Sequence, residues 1–227
     1  PGEAWQLWPM HGETVIAAAQ GDAPGTFDIT PTGNASGWGA VAFTDGAGDV
    51  RVLSVHVDEA GAADIVQGEY SESLPLDKPT TFMHSSGVGA WMTEMTVNPD
   101  GTFTGTFHDS DMGDIGDDYP NGTTYVSDFS GRFGLIFPMG GNCWGFTLQG
   151  ISMREPGDEW IEDGVRYVSA SPAGLDGLLY TLHLPGTPVT DLSEEQLFWW
   201  VDKPENAEAL DVPMITDVTD ERAFIGE

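Results

Sequence analysis

The sequence predicts a mainly β protein, an antiparallel β-barrel or barrel-like sandwich with one short C-terminal helix. Three observations carry this expectation. Short alternating segments follow one another along most of the chain, separated by Gly, Asp, Asn and Pro turn signals at the spacing of a meander. Residues 89–97 and 102–107 flank Asn98-Pro99-Asp100-Gly101, and an Asp-Gly turn between two such runs, which needs positive φ, marks a hairpin. One stretch near residue 193 carries helix start and stop chemistry.

Before the hairpin, residues 14–19, 26–30, 38–43 and 50–57 read as strands, with turns at Asp22-Ala23-Pro24-Gly25 and Asp45-Gly46. Residues 60–66 fit either a strand or one helical turn. Residues 71–80 hold two prolines and no periodicity, so they read as a connector. They mark a boundary between an N-terminal β region, residues 1–75, and a barrel-like region, residues 76–227, or else a long surface loop within one domain. Within residues 102–107, Phe103, Gly105 and Phe107 share one face and the threonines share the other. Strand pattern resumes at 123–129, 131–137, 143–153, 165–169 and 178–184, and the short apolar patch at 212–215 fits a last strand.

The helix is expected over residues 193–203. Ser193 with Gln196 three residues on has capping-box spacing, and Leu192 and Leu197 stand where a hydrophobic staple clamps the entry. Glu194 and Glu195 sit at the positive end of the helix dipole, Lys203 lies near the negative end, and Pro204 stops the run. Leu197, Trp200 and Val201 form a stripe that must pack on the sheet or on the barrel mouth.

With 227 residues, 40% of them hydrophobic and 11% aromatic, the chain is long enough to bury a core and is not disordered. Seven Lys and Arg oppose 37 Asp and Glu, a formal charge of -30. Such a surface repels DNA, RNA and anionic membranes and attracts cations and basic partners, so nucleic acid is excluded as a partner. Solubility and salt adaptation account for this charge more readily than a specific role does. Cys143 is the single cysteine, so no intramolecular disulfide forms. It lies in an apolar run with no basic neighbour in sequence, the setting of a buried inert thiol. No stretch approaches the roughly 18 apolar residues of a membrane span. The chain starts at Pro1 without Met, as a trimmed or processed mature form does, which with the charge and the cysteine usage points outside the cytoplasm.

The most unusual stretch runs from His108 to Thr123. Asp109, Asp111, Asp114, Asp117 and Asp118 fall within ten residues, and no Lys or Arg occurs between Lys78 and Arg132. Hard cations take six to eight oxygen ligands, about 2.3–2.6 Å away, from carboxylates and carbonyls. Calcium is therefore the expected cofactor if there is one, with Asp109, Asp111, Asp114 and Asp117 as ligands and His108 able to join the loop. The spacing departs from an EF-hand, which would need a third oxygen ligand at Gly113 and a distant Glu. The competing expectation is a solvated loop whose Asp side chains cap turn N–H groups.

No other motif names a reaction. The five histidines show no zinc spacing, and G-x-S-x-G and S-x-x-K are absent. Paired carboxylates carry no signal among 37 acids. Trp5, Trp8 and Trp160 stand in polar, loop-like contexts where an exposed indole can stack on a sugar or an apolar partner. Trp38, Trp91, Trp144, Trp199 and Trp200 read as core.

Two blocks resemble a known family. His108-Asp109-Ser110-Asp111-Met112-Gly113-Asp114 with Tyr119-Pro120-Asn121-Gly122-Thr123 and Phe129-Ser130-Gly131-Arg132-Phe133 forms the first. Gly174-Leu175-Asp176-Gly177, Leu184-Pro185-Gly186-Thr187-Pro188 and the run from Leu192 to Trp200 form the second. Together they resemble a group of uncharacterised bacterial extracellular lipoproteins, which implies export and a lipid anchor N-terminal to this chain, but no activity. Gly89-Ala90-Trp91 opening a strand is similar to the first hairpin of avidin-like and lipocalin-like barrels, where the Trp plugs one end. The expectation is a non-catalytic extracellular binding or adhesion module for a glycan, a peptide or a small apolar ligand. The alternative is a carbohydrate-active hydrolase using two carboxylates.

Overall fold

The computed structural model describes residues 6–11, 15–23, 26–44, 50–66, 70–87, 89–219 and 221–227. Trp5, the Asp45-Gly46 turn and the Pro24-Gly25 half of the first turn lie outside them. The N-terminal region forms β1 (Gln6–His11), β2 (Ile16–Gln20), β3 (Phe27–Pro31), β4 (Gly37–Thr44), β5 (Val50–Val57) and β6 (Ala63–Val66). Strands β1, β4, β5 and β6 make an antiparallel sheet in that order, and β2–β3 is a separate hairpin. Ile16 of the hairpin packs with Val41, Val55 and Val57 of the sheet. β6 answers the open question over residues 60–66 as a strand.

From Thr80 onward the chain builds a barrel. Its strands are β7 (Thr80–Ser85), β8 (Trp91–Val97), β9 (Thr102–Asp111), β10 (Thr123–Gly140), β11 (Cys143–Met153), β14 (Leu179–His183), β15 (Met214–Asp217) and β16 (Ala223–Gly226). Each pairs antiparallel with the next, and β16 pairs with β7. The sheet is therefore a closed eight-stranded antiparallel barrel rather than a sandwich, and closure removes its edges. Between β11 and β14 the chain makes an excursion, β12 (Glu159–Glu162) and β13 (Val165–Ser169), and β13 runs parallel to the start of β10. The helix α1 (Glu194–Trp199) lies between β14 and β15, preceded by a 3₁₀ turn at Val189–Asp191.

The lumen is filled, not hollow. Phe82, Phe103, Phe133, Phe146, Tyr180 and Phe224 are fully buried there together with Met95, Leu182 and Ile215. Phe133 sits at the centre, its ring 4.7 Å from both Phe103 and Phe146 and 5.5 Å from Tyr180. Gly105 and Gly131 make room: each faces a phenylalanine across the ladder, Phe129 and Phe103, whose rings occupy the space a Cβ would need. At Leu135 the φ of 49° marks an irregularity in β10, and the register with β11 shifts between Gly134 and Phe137. Beyond that bulge the side-chain alternation is offset. Phe133 and Ile136 point into the lumen, whereas Phe137 and Met139 face the N-terminal sheet, packing with Met10, Ala40, Ala42 and Val50.

The helix has the expected start and an earlier stop. Ser193 accepts from the Gln196 N–H and Gln196 Oε1 accepts from the Ser193 N–H, closing the capping box. Helical geometry ends at Trp199 rather than 203, because Trp200 turns inward and is buried with Leu192, Leu210 and Met214. That turn throws Val201 into solvent at 70% exposure, so the stripe expected to include it is Leu197 with Trp200 alone.

Candidate functional site

Strand β10 has 18 residues because it serves two neighbours in succession. Thr123–Val126 pairs with β13, and residues 129–140 pair with β11. The sheet forks between them, at Ser127 and Asp128, where the β12–β13 hairpin leaves the barrel ladder. The fork opens a groove of about 580 Å³ on the outer face of the barrel. That volume lies within the range of ligand pockets.

One wall is aromatic. Trp160 of β12 and Tyr167 of β13 are cross-strand partners, and their rings stack 5.4 Å apart at 13°. The Arg154 guanidinium lies 4.7 Å from the Trp160 ring centre. His108 and Thr106 of β9, Asp128 of β10 and Ser169 of β13 also line the groove. Pairing puts Thr106 beside Asp128 and His108 beside Val126, so alternation turns these side chains to one face. Arg154, Thr106 and Asp128 are solvent-exposed. Arg154 forms no ion pair among the described residues, although the chain carries 37 acids. Asp128 is the one carboxylate among the lining residues.

The acidic loop joins β9 to β10 and stitches this hairpin in place. The Arg166 side chain of β13 pairs with the Asp114 carboxylate, donates from Nε to Thr123 Oγ1 at 3.2 Å, and lies 4.7 Å from the Tyr119 ring centre. Asn121 donates its N–H to the Gly164 carbonyl at 2.9 Å and its side-chain amide to the Asp163 carbonyl at 3.0 Å. The counter-charge absent from the neighbouring sequence therefore arrives from 52 residues away.

Of the four residues expected to hold calcium, Asp111 caps its own turn, its Oδ1 accepting from the Gly113 and Asp114 N–H groups at 2.9 and 3.2 Å. Asp114 is engaged by Arg166. Asp109 lies in β9, half-buried and paired with Tyr125, while Asp117 is exposed in the loop. Among the described residues no three His, Cys, Asp or Glu side chains are grouped to hold a metal ion. His108 lies in the groove wall instead of the loop.

Two tryptophans expected in loops occupy strands. Trp8 is half-buried in β1, its Nε1 donating to Thr44 Oγ1 at 2.6 Å, and Trp160 belongs to β12. Polar flanks misled at both, because an edge or outward-facing strand is polar on its solvent side. Trp91 opens β8 with its ring 4.8 Å from His84, and Trp199 of α1 lies 4.4 Å from the same imidazole.

Cys143 gains a basic partner that sequence proximity hides. Its cross-strand partner is His183, with Sγ 3.8 Å from Nε2. Thr181 Oγ1 and Gln196 Nε2 approach the same nitrogen at 3.3 and 3.4 Å. Burial nevertheless pushes the Cys143 thiol far above its ordinary value, and the nearby Asp191 carboxylate adds to this. A thiol held neutral in this way is a packing group, not a nucleophile.

Fold and groove together define a closed eight-stranded barrel that is solid inside and carries an aromatic-walled groove outside. Compared with protein-family models, curated proteins and solved structures, the chain matches none.

Proposed function

We propose that this protein is a non-catalytic extracellular binding module that recognises a glycan in the groove between β9, β10 and the β12–β13 hairpin. The observation that carries the reading is the stacked Tyr167–Trp160–Arg154 array sharing one groove with Asp128, His108 and Thr106. A sugar presents C–H patches that lie against aromatic rings and a rim of hydroxyls that need both donors and acceptors. The groove supplies both, with charge-assisted bonds from Arg154 and to Asp128. The filled lumen argues against a small apolar ligand held inside the barrel.

Binding is favoured over hydrolysis by the same lining. A glycosidase needs two carboxyl groups about 5–9.5 Å apart flanking the scissile bond, and the groove offers Asp128 alone. Action outside the cytoplasm is supported by the charge of -30 and by the lipoprotein-like blocks. Protease shaving of intact cells tests it, with loss of the protein as the expected result and full protection as the contrary one. Calcium at the acidic loop is retained as a proposal for Asp109, Asp111 and Asp117, with Asp114 shared with Arg166.

The direct test is a glycan array probed with the wild type and with Trp160→Ala and Asp128→Asn. Specific retention of one glycan class, lost in Trp160→Ala, is the expected result. Retention that both variants preserve would remove the groove from the account.

A further inference from the structure

A second, smaller concavity lies between the N-terminal sheet, the outer wall of β14 and β15, and the approach to α1. We infer that this pocket binds a small primary ammonium compound. Its volume is about 170 Å³, and its wall includes Met10, Trp38, Thr181, Thr216, Asp191 and Glu221. Among the described residues no lysine or arginine lines it.

The first observation is an orphaned hydroxyl. Thr216 is 2% exposed, and its Oγ1 has no hydrogen-bond partner among the described residues. Its neighbour Ile215 points into the lumen, so Thr216 faces outward, beside its cross-strand partner Thr181 in the pocket floor. A buried hydroxyl left unpaired is unfavourable, and a water or ligand bound in the pocket would supply the missing partner.

The second observation is uncompensated negative charge. Glu221 accepts from Ser193 Oγ at 2.8 Å, Asp191 accepts from Thr190 Oγ1 at 3.3 Å, and neither forms an ion pair among the described residues. Asp217 also borders the pocket, but its carboxylate accepts from the Thr219 N–H at 2.7 Å and packs against Gly177, so it is not counted as a ligand group. The charge repels anions and leaves a neutral polyol without advantage. A divalent ion lacks a grouped set of ligands among the described residues.

An ammonium carries three donors and no acceptor, which matches two carboxylates and one hydroxyl oxygen. An engineered cavity of about 150 Å³ holds benzene, so the ligand here has roughly six heavy atoms. The site is independent of the groove, from which it shares no lining residue.

The experiment titrates ethanolamine and its neutral counterpart of the same size, ethylene glycol, into the full chain at constant ionic strength, followed by amide resonances. Ethanolamine is expected to saturate a single site centred on residues 190–196 and 214–219, and ethylene glycol to bind at least about tenfold more weakly, the discrimination expected of a charge-assisted bond. Glu221→Gln with Asp191→Asn is expected to weaken ethanolamine by about tenfold. Thr216→Val keeps the side-chain shape and removes the orphan, so it is expected to weaken binding while the ligand-free melting point holds or rises. Three results would each overturn the inference. They are a non-saturating response spread over the acidic surface, equal binding of the two compounds, and ethanolamine affinity unchanged in the folded variants.

Discussion

Replacing Phe133 by alanine tests the claim that the barrel is packed solid. Phe133 is fully buried, with three aromatic rings within 5.5 Å of it in the lumen. Phe→Ala changes in such cores cost about 3–5 kcal/mol, part from lost transfer energy and part from the cavity left behind. For a chain of this length each kcal/mol lowers the melting point by about 2–4 °C, so a fall of about 10 °C is expected. Equilibrium denaturation followed by near-ultraviolet circular dichroism measures it, with Phe133→Leu as the milder variant expected to lose about 1 kcal/mol. The alanine variant, and not the wild type, is expected to take up benzene in the vacated space. A loss below about 1 kcal/mol, or benzene uptake by the wild type, would mean that the lumen is a ligand cavity and that the reasoning about its packing is wrong.

Four further expectations follow from the sites. Arg166→Gln unpairs Asp114 in a loop already rich in carboxylates, and a loss of about 1–3 kcal/mol is expected by calorimetry. Millimolar calcium should protect that variant more than the wild type, and equal protection of both would show that Arg166 does not stand in for a cation. Cys143 should resist a thiol reagent in the folded protein and react on denaturation; rapid labelling of the native state would contradict its burial. Its folded-state pKa is raised above the ordinary 9.0, so the unfolded chain loses its thiol proton first, and stability should decline as pH rises past 9.0. The Cys143→Ala variant should lack that part of the slope in a denaturation series across pH.

The sequence signals that held were local ones. The Asn98–Gly101 turn forms with Gly101 at a φ of 82°, the capping box closes, and the runs at 143–153 and 165–169 become β11 and β13. Phe103, Gly105 and Phe107 share the lumen face as their alternation requires. Strands β1, β7, β12 and β16 were not legible. They are short, and β12 (EWIE) has no apolar alternation, since it is ordered by pairing with β13 rather than by its own pattern. Residues 123–129 and 131–137 read as two strands, yet they form one, because Ser130 faces solvent within a continuous ladder.

The groove was hidden for a different reason. Its walls come from residues 106–108, 126–128, 154, 160, 167 and 169, which only the forked pairing of β10 brings together. Trp160 was visible as a sugar-stacking candidate, but Arg154, Tyr167 and Asp128 carry no sequence signal. The acidic block was the most visible feature of the chain. Its meaning in the fold, a staple for the hairpin through Arg166, depends on a contact across 52 residues that no local reading contains.

The most direct measurement of the central claim is the Trp160 indole N–H resonance during titration with the glycan class retained on the array, alongside calorimetry of the wild type and Trp160→Ala. Removing a central aromatic anchor costs about 2 kcal/mol or more, about thirtyfold in affinity. The account predicts a saturable shift of the Trp160 resonance with the calorimetric affinity, and binding at least about thirtyfold weaker in the alanine variant. A glycan that binds while the Trp160 resonance stays fixed, with equal affinity for both proteins, would place recognition elsewhere and contradict the account.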